Sequence, residues 1–329
     1  MMDQLIARFT EQLEESLAIA SEVRIKKHSK KINKVYVAGL GGSGIGGDFV
    51  ATIIRKECPI PYIVGKGYDI PAYVDSNTLV IVSSYSGNTE ETVRAFQLAE
   101  KTGAKIVIVS SGGKLIRAAK RKGYDFVKIP DNWPSPRACL GYSFVQQLGI
   151  LNKLGFISEK SISSVNRSIK LLNTETASIK RTAKRIAKKL HNKIPIIYTE
   201  DRMEPVAVRL RQQINENAKT LCWHHVIPEM NHNELVGWKD KSDQFVVLYL
   251  RNKDDFKRNS IRMDINQKII KKYTKNIINL ESKGTDEVQR MMYFVHLGDW
   301  ISWYLSQLRD QDAIEVNVID YLKSELAKV

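Results

Sequence analysis

No run of apolar residues approaches the ~18 that a membrane-spanning helix requires, so no membrane partner is expected. Cysteine is scarce. Cys58, Cys139 and Cys222 lie far apart with no C-x-x-C pairing, which argues against a disulfide frame and a zinc site. The six histidines show neither H-x-H nor H-E-x-x-H spacing, so neither a metal nor any other cofactor is expected. Acidic residues are in the minority, 36 against 51 Lys and Arg, for a formal charge of +15. A nucleic-acid binder gathers its basic residues on one face, often with stacking aromatics. Here they are spread out, and the densest stretch, Lys170 to Lys193, reads as an exposed helix with its flanks. No nucleic-acid partner is therefore expected. The basic bias would draw small anionic substrates toward a cleft. The first residues carry Asp3, Glu11, Glu14 and Glu15, unlike a secretory signal, and the expected compartment is the cytoplasm.

What the chain does contain is alternation. Apolar, β-branched runs at Val35–Ala38, Tyr62–Val64, Thr78–Val82, Lys105–Val109 and Asp125–Ile129 are separated by helical stretches. That pattern predicts an α/β fold with a parallel sheet covered by helices on both faces. It falters after Leu154 in polar, Ser-rich sequence. It resumes with strands at Ile194–Thr199, Thr220–Val226, Phe245–Leu250 and Asn276–Leu280, and helices at Val206–Ala218 and near Lys257–Lys272. Two domains of similar design follow, residues 1–154 and 155–329. An amphipathic helix opens the chain, with Leu5, Ile6, Phe9, Leu13, Leu17 and Ala20 at spacings of three and four. A long helix spans about Asp286–Arg309. The apolar surface of these two helices exceeds what one domain face needs, so it either fills the space within the chain or meets a second subunit.

Gly39-Leu40-Gly41-Gly42-Ser43-Gly44 fits the dinucleotide pattern G-x-G-x-x-G. A dinucleotide site also needs an acidic residue ~20 positions on, at the end of the second strand. Val64-Gly65-Lys66-Gly67 stands there instead. The third strand offers a better match to a phosphate monoester: Ser83, Ser84, Tyr85, Ser86, Gly87, Asn88 and Thr89 lead directly into a helix. Hydroxyls beside helix-starting N–H groups suit a phosphate. Taken alone, Ser86 and Thr89 read equally well as helix caps. Ser43 would face the same crevice, because ligands of parallel sheets bind outside the carboxyl ends of the strands.

These two loops resemble the sugar isomerase (SIS) domain. With Pro134–Phe144 (PSPRACLGYSF), Gln213–Thr220 (QINENAKT) and Pro228–Trp238 (PEMNHNELVGW), in that order, the whole chain resembles the bifunctional phosphoglucose/phosphomannose isomerases. The resemblance implies two SIS domains, each a flavodoxin-like parallel sheet sandwiched by helices. It also implies a reversible aldose–ketose isomerisation of sugar 6-phosphates, with glucose 6-phosphate and mannose 6-phosphate giving fructose 6-phosphate through a cis-enediol. Gly42, Ser43, Ser84, Ser86 and Thr89 would hold the phosphate. Glu216 would be the base, a role that otherwise passes for an ordinary surface carboxylate. His232, between Asn231 and Asn233, which could set its tautomer, would open the ring. In this family that His serves the neighbouring subunit, so a homodimer with shared active sites is expected. Arg137 would stabilise the enediol oxygens, though a salt bridge at the helix start or a phosphate contact fits it too. Lys323 matches a Lys used in ring opening and also reads as a solvated helix residue. His224 and His225 read as structural.

One stretch departs from the family. Where D-P-T-P-V is common, this chain has Asp312-Ala313-Ile314-Glu315-Val316. That loop is associated with room for both C2 epimers, so the departure bears on phosphomannose activity. The rival readings are a non-catalytic SIS sensor and another sugar-phosphate enzyme of the same fold. The first wants a helix-turn-helix partner and the second an N-terminal nucleophilic Cys domain or an ammonia-handling site. Neither is visible.

Overall fold

Strands whose every residue is buried set the architecture. Thr78–Ser83 and Lys105–Ser110 present apolar, β-branched side chains to both faces, as parallel strands covered on both sides must. The computed structural model describes residues 1–328. Helices α1 (Met2–Ala7) and α2 (Phe9–Glu22) come first, followed by β1 (Lys34–Ala38), α3 (Gly41–Ile54), β2 (Tyr62–Gly65), β3 (Thr78–Ser83), α4 (Glu90–Ala99), β4 (Lys105–Ser110), α5 (Gly113–Lys122) and β5 (Asp125–Lys128). After α6 (Leu140–Lys153) and α7 (Lys160–Leu190) come β6 (Ile194–Glu200), α8 (Glu204–Ala218), β7 (Trp223–Ile227), β8 (Phe245–Arg251), α9 (Lys257–Ile270), β9 (Ile277–Glu281), α10 (Glu287–Leu308) and α11 (Asn317–Leu326). Among the described residues no helix is long and apolar enough to cross a membrane.

The strands form two all-parallel sheets, in the orders β2-β1-β3-β4-β5 and β7-β6-β8-β9. In each, the first strand in sequence lies inside, and the chain steps to one side before crossing to the other. That is the flavodoxin-like arrangement, with its switch point between β1 and β3 in the first sheet and between β6 and β8 in the second. The strands and helices read from the sequence all form, with ends shifted by one to three residues in most cases. One core packs Val80, Val82, Ile106 and Ile108 against Phe96 and Leu115, and the other packs Ile196, Tyr198, Val247 and Tyr249 against Met263.

The chain divides into two compact units. The amino-terminal unit comprises Ala7–Asn173 with Asp286–Gln289. The carboxyl-terminal unit comprises Met1–Ile6, Thr174–Thr285 and the residues from Arg290. The division falls at Asn173 and Thr174, inside α7, whereas the sequence reading placed the junction near residue 155. The Ser-rich stretch is no linker but the first three turns of this 31-residue helix. Ser161, Ser164, Val165, Ser168 and Ile169 are buried at spacings of three and four, and Ser168 Oγ donates to Ser164 O at 2.8 Å. Small hydroxyl side chains that bond back to their own helix line a buried stripe without leaving a polar group unsatisfied.

The opening helix also differs from expectation. It breaks at Arg8, whose guanidinium stacks over Trp133 at 4.7 Å and pairs with Glu11 at 2.8 Å. Phe9 and Leu13 are buried, as are Met291, Met292, Tyr293, Phe294 and Trp300 on α10. Most of that apolar surface is thus filled within the chain.

In the carboxyl-terminal unit α8 is fastened to α10 by a polar spine. Arg209 Nη2 donates to Asp299 Oδ2 at 2.8 Å, Gln213 Nε2 to Asp299 Oδ1 at 2.9 Å, and Asn217 Nδ2 to Ser302 Oγ at 2.9 Å. Arg209 and Asp299 are each only 4% exposed. Positions 209, 213 and 217 share one helix face, one turn apart. Removing one member of such a pair strands a buried charge, whereas replacing both with apolar groups does not. Asp299→Ala is therefore expected to cost about 3–5 kcal/mol in urea denaturation, and Arg209→Met with Asp299→Leu to cost clearly less than that. A double-variant loss as large as the sum of the two single losses would show that the charges do not depend on each other.

Candidate active site

In the amino-terminal unit, two loops leave the carboxyl ends of β1 and β3 at the switch point. The first enters α3 at Gly41, which has φ +52, in the left-handed region that glycine tolerates. Ser43 is buried in the first turn, and its N–H bonds Leu40 O at 3.1 Å. Gly44 has no room for a side chain: a Cβ there would stand 2.5 Å from Gly39 O. The loop after β3 is built on hydroxyls. Ser84 is buried, and its Oγ lies 2.9 Å from Thr89 Oγ1 and accepts from Gly87 N at 3.2 Å. Ser86 is exposed and accepts from Asn88 N at 3.2 Å. Thr89 occupies the N-cap position of α4, yet its side chain makes no capping bond. Its hydroxyl is turned to Ser84 instead of capping the helix.

The end of β2 does not suit a ribose. Lys66 stands there, paired with Asp48 at 2.5 Å, and a Cβ at Gly65 would collide with the Tyr36 hydroxyl.

Arg137 sits in a short 3-10 turn, Pro136–Ala138, and is buried. A Cβ on Gly42 would come within 3.3 Å of Pro136 O, so this turn packs directly beside the first loop. Gln12, wholly buried on α2, grips the segment from both ends: its Nε2 donates to Ala138 O at 2.8 Å and its Oε1 accepts from Gly141 N at 2.7 Å. Trp133 Nε1 donates to Tyr142 Oη at 2.9 Å, and Tyr142 in turn bonds Glu15. Sequence reasoning missed Gln12. A lone Gln on an apolar helix face was the only signal it left.

The carboxyl-terminal unit holds Glu216, His232 and Lys323. Glu216 lies in the last turn of α8. Asn215 Nδ2 donates to Thr220 O at 2.7 Å, and Asn217 is tied to Ser302, so both flanking asparagines brace the helix end. Glu216 is partly exposed in the wall of a cavity of about 300 Å³, with Asn215, Lys219, Glu315, Val316, Val318 and Ile319. The structure thus brings the stretch that replaces D-P-T-P-V to Glu216. Lys323 lies further along α11, 71% exposed and 3.7 Å from Asp320; it is not among the residues lining this cavity.

His232 ends a short turn, Glu229–His232, and is exposed. Its neighbours do not set its tautomer as expected. Asn231 Nδ2 donates to Asn266 Oδ1 at 2.8 Å. Asn233 Nδ2 donates to Glu229 Oε1 at 2.8 Å, while its Oδ1 accepts from Glu234 N. Asn231 is spent on the Asn266 side chain of α9, and Asn233 on the Glu229 carboxylate and the Glu234 backbone, so neither is bonded to the imidazole. Glu234 is the anchor: it accepts from Tyr198 Oη at 2.5 Å and Trp223 Nε1 at 3.2 Å, and meets His225 Nδ1 at 2.8 Å. His225 is thus part of the scaffold, and His224 lies 3.8 Å from Glu204.

The switch point of the second sheet carries charges where the first carries hydroxyls. Glu200, buried at the end of β6, accepts from Arg202 Nε at 2.8 Å and Phe256 N at 2.9 Å. Asp255 accepts from Asn252 N at 2.9 Å. Burial above all pushes Asp255 up to about 7, against the backbone bond from Asn252, and the neighbouring Glu200 adds to the rise.

The chain is similar to known proteins. A family profile described as the bacterial phospho-glucose isomerase C-terminal SIS domain matches residues 179–326, and a SIS domain profile matches residues 29–127. The bifunctional phosphoglucose/phosphomannose isomerase of Caldicellulosiruptor bescii is 40% identical over 100% of this chain and 99% of its own length. The enzyme of the same name from Aquifex aeolicus is 34% identical over 89% of this chain and 90% of its own. Among solved structures, the C-terminal domain of glucosamine-fructose-6-phosphate aminotransferase from Francisella tularensis superimposes with a TM-score of 0.76. It does so at 13% identity, over 95% of this chain and 97% of that one, a likeness of fold.

The raised Asp255 carboxyl makes stability depend on pH. A group whose folded value lies above its unfolded value of 3.8 contributes fully below 3.8, and that contribution is lost as pH rises through about 7. Asp255→Asn should therefore have a higher urea midpoint than the parent at pH 8, with the gap closing toward pH 4. A constant difference across that range would mean that ionisation of Asp255 is not its source.

Proposed function

The chain belongs to the bifunctional phosphoglucose/phosphomannose isomerase family, and on that premise we propose that it interconverts glucose 6-phosphate and mannose 6-phosphate with fructose 6-phosphate. The observation that carries the reading is Glu216: a carboxylate on a firmly held helix end, in the wall of a cavity shared with Val316, Val318 and Ile319. Glu216 removes the proton from C2 of the open-chain aldose and returns it to C1, passing through a cis-enediol. Charge builds on the enediol oxygens, and Arg137 is the cation assigned to stabilise it. Ser43, Ser84, Ser86 and Thr89, with the N–H groups around Gly42 and the start of α4, hold the phosphate.

His232 opens the sugar ring, and in this reading it does so for the other subunit of a homodimer. Its support lies in the carboxyl-terminal unit. His232 is exposed, and among the described residues no hydrogen bond or ion pair holds its side chain. Leu221 and Val236, 83% and 82% exposed, leave apolar surface for a second copy to cover. Lys323 assists ring opening.

Phosphate contacts are made alike in the ground and transition states, so losing one raises KM more than it lowers kcat. Thr89→Ala is expected to raise KM for fructose 6-phosphate several-fold while kcat stays within about threefold, and inorganic phosphate should compete with substrate. The measurement is initial rates in coupled assays for glucose 6-phosphate and mannose 6-phosphate formation, with and without EDTA. An unchanged KM and no competition by millimolar phosphate would remove the phosphate role.

Glu216→Gln keeps the shape and removes the base, so kcat should fall about 10²–10⁴-fold with substrate still bound. Mixing Glu216→Gln with His232→Ala protein under subunit exchange should return activity above the sum of the two, because every mixed dimer carries one intact site and one doubly defective one. Proven exchange with no gain would place both residues in one chain's site or remove one from catalysis.

A further inference from the structure

Helix α11 begins beside the Glu216 cavity, yet none of its side chains is buried. Val318 is 81% exposed and Tyr321 67%. A helix of ten residues is marginal by itself in water, so the Asp312–Val316 stretch before it must do much of the holding. Ala313 is buried there. The other tie is Lys219, just past the end of α8.

Lys219 has φ +51 and ψ 41, the left-handed conformation in which helices commonly stop, and in which glycine is the usual residue. Its ammonium donates to Glu216 O at 2.7 Å, Asp312 O at 2.7 Å and Glu315 O at 2.7 Å, and the Glu315 carboxylate lies 3.7 Å away. A lysine ammonium has three N–H donors. All three are directed at carbonyls, one on the residue that bears the proposed base and two on the segment that walls its cavity. The positive charge also sits where the helix leaves unpaired carbonyls, a favourable place for a cation. Arginine could not substitute freely, because its planar fork does not send donors in three directions.

We infer that Lys219 is a positioning residue: its ammonium locks the Asp312–Val316 segment and the start of α11 against the end of α8, and so fixes the surroundings in which Glu216 works. The kinetic part rests on the isomerase reading; the locking itself does not. Lys219 touches no reacting atom in this account. It acts through the placement of Glu216, Val316 and Ile319, and misplacement by about 1 Å can cost a rate ~10²-fold.

The test compares the parent with Lys219→Met, which keeps the length and loses the donors, and Lys219→Gly, which loses the donors but relieves the left-handed strain. Hydrogen exchange should speed up at least about tenfold in Asn317–Leu326 in both variants, because protection follows local opening, with β6 and β8 unchanged. Turnover of fructose 6-phosphate should fall about 10–100-fold in kcat with KM within about threefold. Lys219→Cys should recover most of its kcat after treatment with 2-bromoethylamine, which rebuilds an ammonium of nearly the same reach, with the parent treated in parallel. Unchanged protection of α11 in both variants overturns the lock. Lost protection with unchanged kcat overturns the positioning role. If the parent turns over neither sugar phosphate, the isomerase reading falls, and hydrogen exchange alone then upholds or overturns the lock.

Discussion

A carboxylate buried to 4% exposure has to be completed by partners, and the carboxyl-terminal unit is arranged around that requirement at Asp299. Arg209 and Gln213 take one oxygen each. Because they lie one turn apart on α8, the helix can neither rotate nor slide without losing a bond. Asn217 extends the spine to Ser302, and Arg309 Nε donates to Ala218 O at 2.9 Å at the helix end. The last turn is therefore held on two sides. Glu216 is offset from the spine by one residue, about 100° around the helix, and reaches the cavity wall for that reason. The base proposed at Glu216 would gain from such bracing, since proton transfer tolerates little error in direction.

The two sheets show how one topology serves different ends. Each has a switch point where loops from two adjacent strands diverge. In the first, glycines bring backbone close to backbone, and serine and threonine fill what remains, with the Ser84, Ser86 and Thr89 hydroxyls bonded within their own loop. In the second, Glu200, Arg202 and Asp255 fill the same place with charges that answer one another. In the proposed function the first switch point receives the phosphate, whereas the second presents carboxylates. The fold offers the location, and the side chains decide its chemistry.

Much of the fold was legible because its cues are local. Parallel strands buried on both faces appear as short apolar runs, and amphipathic helices as apolar residues three and four apart. The loops after β1 and β3 were legible as loops for a related reason: Gly41 takes a left-handed backbone that glycine tolerates, and Ser84, Ser86 and Thr89 lie together directly before a helix. The serines at the start of α7 misled because serine looks polar in composition, although its spacing of three and four was already that of a buried stripe. The asparagines around His232 misled because adjacency in sequence is not adjacency of side chains.

Composition, periodicity and the order of a few short motifs were thus enough for the α/β class, the two similar halves, the crevice of the first sheet and the set of candidate residues. They could not say what completes those residues. Gln12 meets Ala138 across 126 positions, Arg209 meets Asp299 across 90, and Lys219 meets Glu315 across 96. A buried or directed polar group has to find its partner wherever folding brings one, and nothing local announces which residue that is. The turn that holds Arg137, the direction of Glu216 and the binding of the Asp312–Val316 segment to the end of α8 were decided only once those distant partners met.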